Sequence, residues 1–123
     1  GAYKKIIPIT LKKLASCGSN FNDLIAIIGP CIDKRSYEVR KDFFNKFIKQ
    51  EKSNKKFFNI KNNKLYFSLN NYITDEFLKL GVKNIEIIKK DTYKLNNNFF
   101  SARQSIKSKL HDYGRNISVI MIK

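Results

Sequence analysis

The chain of 123 residues contains no tryptophan, one methionine and one histidine, His111. A Ser/His/Asp or Cys/His triad would have to recruit that one imidazole, so the residues alone assert no triad. One His, two scattered Cys and carboxylates without ligand spacing make no zinc site, and no metal ligand is assigned in this chain. Cys17 and Cys31 are too few for a disulfide framework and stand in no CxxC pair, which fits a reducing cytosol. Glycine is scarce, and neither a Walker loop nor a dinucleotide fingerprint is present. Long apolar runs are absent too: each is broken by Lys, Asn or Pro before bilayer length. No membrane partner is expected, and the predicted location is cytoplasmic.

What is present is enough apolar material for a core. At 42% hydrophobic and 13% aromatic, the composition predicts one packed domain over residues 1–123 rather than disorder. The net charge is +15, which attracts phosphates by screened electrostatics and counterion release. Only four of the 25 basic residues are Arg, however, and bidentate phosphate or base contacts favour the guanidinium fork. Lys, Asn and Ile dominate, as an AT-rich genome encodes most readily. Nucleic acid is therefore not an expected partner. A basic binding or interaction module without catalytic activity is the alternative reading. The chain starts at Gly1 with no Met, so a fragment or a processed product fits.

Apolar spacing gives the order of elements. Ile6, Ile7, Leu11 and Leu14 predict an amphipathic helix over 3–17 with Gly18 as C-terminal cap, in which Pro8 is tolerated only in the first turn or at a kink. Leu24 to Ile28 reads as a strand buried on both faces. Val39, Phe43, Phe47 and Ile48 predict a helix from about Tyr37 to Lys49, and Glu51 to Lys56 a charged surface loop. Asn62-Asn63, between two apolar runs, predicts a hairpin over 57–67, because Asn tolerates the positive φ of a tight turn. A further helix carries Ile73, Phe77 and Leu80, with Asn70 or Asn71 as cap and Gly81 as terminator. Val82 to Ile88 is a second buried strand, 91–100 an Asn-rich loop, 101–110 a short polar helix, and Ile117 to Ile122 a final strand. The fold class is α/β in the mixed α+β sense, a layered sheet with packed helices.

Few residues carry chemical promise. Cys31 follows Gly29-Pro30 at a strand end, where open sheets place ligands, but no base adjoins it, so it reads as a buried structural thiol. His111, in a polar turn segment, reads as a solvated loop residue. Phe99-Phe100-Ser101-Ala102-Arg103 offers aromatics, a hydroxyl and an anion-holding arginine. The same residues also suit two core phenylalanines before a helix capped by Ser101, with Arg103 exposed. Tyr37 either lines a pocket beside the strand-end turn or covers the core with its hydroxyl wet.

Three stretches together resemble the laccase-domain family, also called multicopper polyphenol oxidase-like or peptidoglycan editing factor proteins. They are Ile27-Ile28-Gly29-Pro30-Cys31-Ile32 with Ser36-Tyr37-Glu38-Val39; Asp91-Thr92-Tyr93 leading to Phe99-Phe100-Ser101-Ala102-Arg103; and Asp112-Tyr113-Gly114-Arg115-Asn116-Ile117-Ser118. The resemblance implies the C-terminal portion of a laccase-domain-like fold truncated at its N-terminus, with Gly1 similar to the last residue of a His-Ala-Gly-Trp-Arg/Lys-Gly motif. It implies a metal-dependent purine nucleoside phosphorylase acting on adenosine, inosine and methylthioadenosine, with associated adenosine deaminase activity and a peptidoglycan-precursor editing role. Zinc or copper is implied for the intact family member, held by two His and one Cys upstream of Gly1, so no catalytic residue is assigned here. The substrate-binding residues it points to are Tyr37, Ser101 and Arg103. The implied partners are a purine nucleoside and phosphate, together with an N-terminal half or a second copy. The sequence departs from the family pattern at Asp91, where many relatives have Cys, at Ala102-Gln104, where Tyr and Arg are usual, and at Ser68, often Asp.

Overall fold

The computed structural model describes residues 2–110 and 112–121. Among them, helices and strands interleave as the spacing predicts, but the strands divide between two sheets. Helix α1 spans Ile6–Ser16. Pro8 is its third residue, where the missing N–H belongs to the donors that a first turn leaves unpaired. The chain leaves α1 through Gly18 at φ 91°, a left-handed turn that costs glycine little.

Strand β1, Ile25–Ile28, pairs in parallel with β5, Asn84–Ile87, placing Ala26 beside Ile85 and Ile28 beside Ile87. Their inner face meets α1 and helix α3, Leu69–Lys79, around Leu11, Phe77 and Val82. The outer face is open. Ile25 is 63% exposed and Ile27 54%, so β1 is covered on one face and not on both. The uninterrupted apolar run asks for two covered faces, and the described residues supply cover for one.

The second sheet is antiparallel, in the order β2-β4-β3, built from Glu38–Val39, Lys64–Phe67 and Phe58–Lys61. Asn62 and Asn63 turn the β3–β4 hairpin at φ 50° and 58°, as their tolerance of that region predicts. Strand β2 occupies residues expected to begin a helix. Its backbone instead pairs with the free edge of β4, and Phe67 N–H donates to Tyr37 O at 3.0 Å. Helix α2 consequently starts later, at Lys41, and runs to Gln50.

Rings from these elements form the core. Phe47, Phe57, Phe67 and Tyr72 are buried together, with Phe43, Phe58 and Tyr37 against them. Phe43 and Phe47 lie 4.8 Å apart between centroids, and Phe47 meets Tyr72 edge-on at 5.1 Å. Such pairs each add about 0.5–1.5 kcal/mol beyond the area they bury. The stretch after α2 is not a plain surface loop: Lys52–Phe57 winds as a 3-10 turn. It buries Asn54, whose Nδ2 donates at 3.0 Å to Phe47 O at the end of α2. Ser68, rather than Asn70 or Asn71, stands at the start of α3.

The C-terminal region differs from expectation. No strand forms among described residues 112–121, and Ile117, Val119, Ile120 and Met121 are almost fully exposed. Such an apolar run needs a neighbouring ladder to form a strand, and no described strand provides one.

Candidate functional site

Helix α4, Ala102–Lys107, starts at Ser101, whose Oγ accepts from Gln104 N–H at 3.3 Å. The cap sets the direction of α4 and carries Arg103 over β2. Arg103 Nη1 donates to Glu38 O at 2.8 Å, and its guanidinium carbon lies 5.6 Å from the centre of the Tyr37 ring. Residues 66 positions apart in sequence (103 − 37) thereby form one stacked cation and ring. Burial pushes the Tyr37 hydroxyl above its ordinary pKa, with Arg103 opposing, so the phenol stays protonated at neutral pH.

Beside this pair a cleft of about 400 Å³ opens between α4 and β2. Arg40, Lys64, Arg103 and Lys107 line it with cationic groups, and Tyr93 adds a ring. Lys107 Nζ lies 5.9 Å from the Tyr93 ring centre, a second cation over an aromatic face. Lys64 is partly neutralised by Glu38 at 2.9 Å. The lining suits an anion flanked by a flat ring, and of the residues singled out in the sequence Arg103 lies on it. Tyr37 backs Arg103 from the core side, against Phe43 and Phe67. Ser101 is engaged at the helix start.

A second polar recess, of about 350 Å³, lies at the C-terminal ends of β1 and β5. Its organiser is Asp91, which the spacing of chemical residues did not single out. The buried carboxyl accepts from Ser36 Oγ at 2.6 Å, Tyr93 N–H at 2.9 Å and Asp33 N–H at 3.2 Å. Asp91 also forms a lone parallel bridge with Cys31, closing the two strand ends. Cys31 donates its S–H to Asn70 Oδ1 at 2.8 Å. Burial, followed by the nearby Asp33 and Asp91 carboxylates, pushes the thiol above its ordinary pKa. The thiol is therefore neutral at pH 7, and it is half-buried on the recess rather than buried as the sequence predicts. The signal that could have found this hub was the single buried-type acid following a strand, but its partners Ser36 and Asn70 come from distant segments.

The third stretch anchors to the second through side chains. Asn116 accepts from Phe100 N–H at 3.0 Å and donates to Phe100 O at 2.7 Å, copying a strand pair with an amide. Gly114 passes flat against the Phe100 ring, where a Cβ would overlap it. His111 lies outside the described residues.

All of residues 1–123 match the family described as multi-copper polyphenol oxidoreductase laccase. The chain belongs to this family. As a laccase-family chain it is 33% identical over 125 residues to the purine nucleoside phosphorylase of Rickettsia prowazekii, and 34% identical over 126 residues to that of Rickettsia conorii. Each match covers 100% of this chain and 51% of the relative, so the chain spans about half the length of the relatives it matches. Its fold is similar to the crystal structure of the Bacillus licheniformis hypothetical protein YfiH, with TM-score 0.69 and 25% identity over 85% of this chain and 39% of that one.

The family's description names copper, and the residues present do not fit an ion of their own. Among the described residues no three His, Cys, Asp or Glu side chains converge for coordination. Cys31 is committed to Asn70, and Asp91 is filled by three donors.

Proposed function

We propose that this chain forms the C-terminal portion of a cytoplasmic purine nucleoside phosphorylase and supplies one wall of its nucleoside and phosphate cleft. The observation that carries the reading is the Arg103 guanidinium stacked on Tyr37 at the edge of a cleft lined by Arg40, Lys64 and Lys107. The two Rickettsia relatives bearing that name support it, and so do two free cysteines and the lack, among the described residues, of a helix long and apolar enough to cross a membrane.

In phosphorolysis a phosphate oxygen bonds to C1′ of the sugar as the bond from C1′ to the purine nitrogen breaks. The electron pair leaves with the base, which takes up a proton from solvent. Arg103 holds the phosphate: one of its N–H donors is spent on Glu38 O, and the planar fork offers others to oxygen. Tyr37 fixes the plane of that fork. Ser101 accepts from Gln104 N–H and contributes by fixing the start of α4, which carries Arg103 to the cleft. Zinc or copper, which the resemblance implies for the intact protein, is assigned to residues other than those described, and deaminase activity remains a secondary proposal for the same cleft.

Inosine phosphorolysis tests the reading, using this chain joined to the stretch of the Rickettsia prowazekii relative that it does not match. Arg103→Gln is expected to lower kcat/KM about a hundredfold, with the loss seen mainly in phosphate dependence. An unchanged phosphate KM removes Arg103 from the site. Absence of turnover in every combination removes the phosphorylase reading itself.

A further inference from the structure

Two helices of this chain begin at a serine, and only one of them uses the hydroxyl as a cap. Ser101 Oγ accepts from Gln104 N–H, whereas Ser68 Oγ makes no cap bond to α3 and takes no other partner among the described residues. Ser68 is only 9% exposed, and the opening it faces is a recess of about 380 Å³. A buried hydroxyl normally has a partner. Beside it stand the first-turn N–H groups of an 11-residue helix, at the positive end of its dipole. The β3–β4 hairpin supplies a wall: alternation turns Asn59 and Lys61 to the face opposite Phe58, and register sets Tyr66 beside Asn59. Lys34 and Arg35 reach the recess from the loop after β1, and Lys56 from the 3-10 turn. Arg35 is engaged by Asp33 and Lys56 by Asp75. Lys34 and Lys61 pair with no carboxylate among the described residues, and no acid lines the recess.

We propose that this recess is a second anion site, which binds the phosphate group of a small phosphomonoester. The dianion sits at the start of α3, accepting from the Ser68 hydroxyl and the first-turn N–H groups, with Lys34 and Lys61 supplying the charge. Helix-start donors joined by convergent cations are the general chemistry of phosphate recognition. The recess has room for more than the ion, so the organic part of the ester fills the remainder against Tyr66. It shares no lining residue with the cleft at Arg103. The proposal therefore stands whether or not that cleft binds phosphate.

Nuclear magnetic resonance titration of the 123-residue chain with phenyl phosphate, inorganic phosphate and phenol is the test. Phenyl phosphate should shift the amides of Lys61 and of residues 68–71 saturably, at least about tenfold more tightly than inorganic phosphate, and phenol should shift none. Ser68→Asp keeps a capping residue at the start of α3 but places a carboxylate in the recess. It should weaken binding at least about tenfold while the thermal midpoint holds or rises. Lys34→Gln with Lys61→Gln should weaken it comparably, and carries the test if Ser68→Asp does not fold. Lys12→Gln with Lys46→Gln, which removes the same charge at exposed sites away from the recess, should leave binding unchanged, as should Arg103→Gln. Inorganic phosphate binding as tightly as the ester overturns the assignment. So do shifts scattered over the basic surface, an equal loss in the Lys12 and Lys46 pair, or full affinity in a folded Ser68→Asp chain.

Discussion

Phe67 in β4 is completely buried, whereas Ile27 in β1 keeps more than half of its surface in water. Ile27 lies within β1 and Phe67 ends β4, and each follows apolar neighbours in its own strand. The antiparallel sheet is closed by helices and rings contributed from its own neighbourhood: α2 follows β2 directly, and α3 follows β4. The parallel pair joins residues about sixty positions apart and leaves one face without cover. A local unit can complete its own core. A crossover unit depends on what the rest of the fold lays against it.

The largest expected effect lies in the closed region. Phe67→Ala removes a ring that contacts Tyr37, Phe43, Phe47, Phe58 and Tyr72, and should cost about 3–5 kcal/mol in urea unfolding. A loss no greater than that of a surface change would erase the contrast. Next comes the hub between the regions. Asp91→Ala strands the Ser36 hydroxyl and two backbone N–H groups, and should cost about 1–3 kcal/mol, with faster amide exchange at Asp33 and Tyr93.

Acid provides a smaller test of the closed region. Burial raises the pKa of Asp75, but Lys56 at 2.5 Å and Lys79 at 3.2 Å outweigh it and hold the carboxyl below its ordinary value. A depressed folded pKa contributes stability above the unfolded value, and that contribution is lost as pH falls through the folded one. The urea midpoint should therefore fall at acid pH less steeply in Asp75→Asn than in the parent chain. Thiol chemistry probes the other side: Cys31 should alkylate with iodoacetamide more slowly than exposed Cys17, reaching full rate only above the ordinary thiol range. Smallest of all, Ile27→Ala on the isolated chain should shift stability by no more than about 0.5 kcal/mol.

Much of the fold is legible in the sequence where its signals are local. The Asn62-Asn63 turn, Pro8 in the first turn of α1, glycines after α1 and α3, and the Ser101 cap each follow from the backbone needs of one or two residues. Strand β2 was not legible: two residues pair with β4 because an edge is available in space, and helical spacing of Val39 and Phe43 hides it. The open face of β1 and the unpaired 117–121 segment share one cause. An apolar run states what a strand prefers, not whether a neighbour is present to provide it. The site divides the same way. Tyr37, Ser101 and Arg103 stand out by residue type, yet only the packing of α4 on β2 stacks Arg103 over Tyr37, and only strand-end closure gathers Ser36, Cys31 and Asn70 around Asp91.

Hydrogen exchange on the 123-residue chain by itself bears most directly on the difference between the two regions. Amides of β1 and of residues 117–121 should exchange at least about tenfold faster than those of β4, because local opening is cheapest where apolar cover is missing. Equal protection of β1 and β4 would mean that the parallel pair is as well closed as the aromatic core, and would contradict the account.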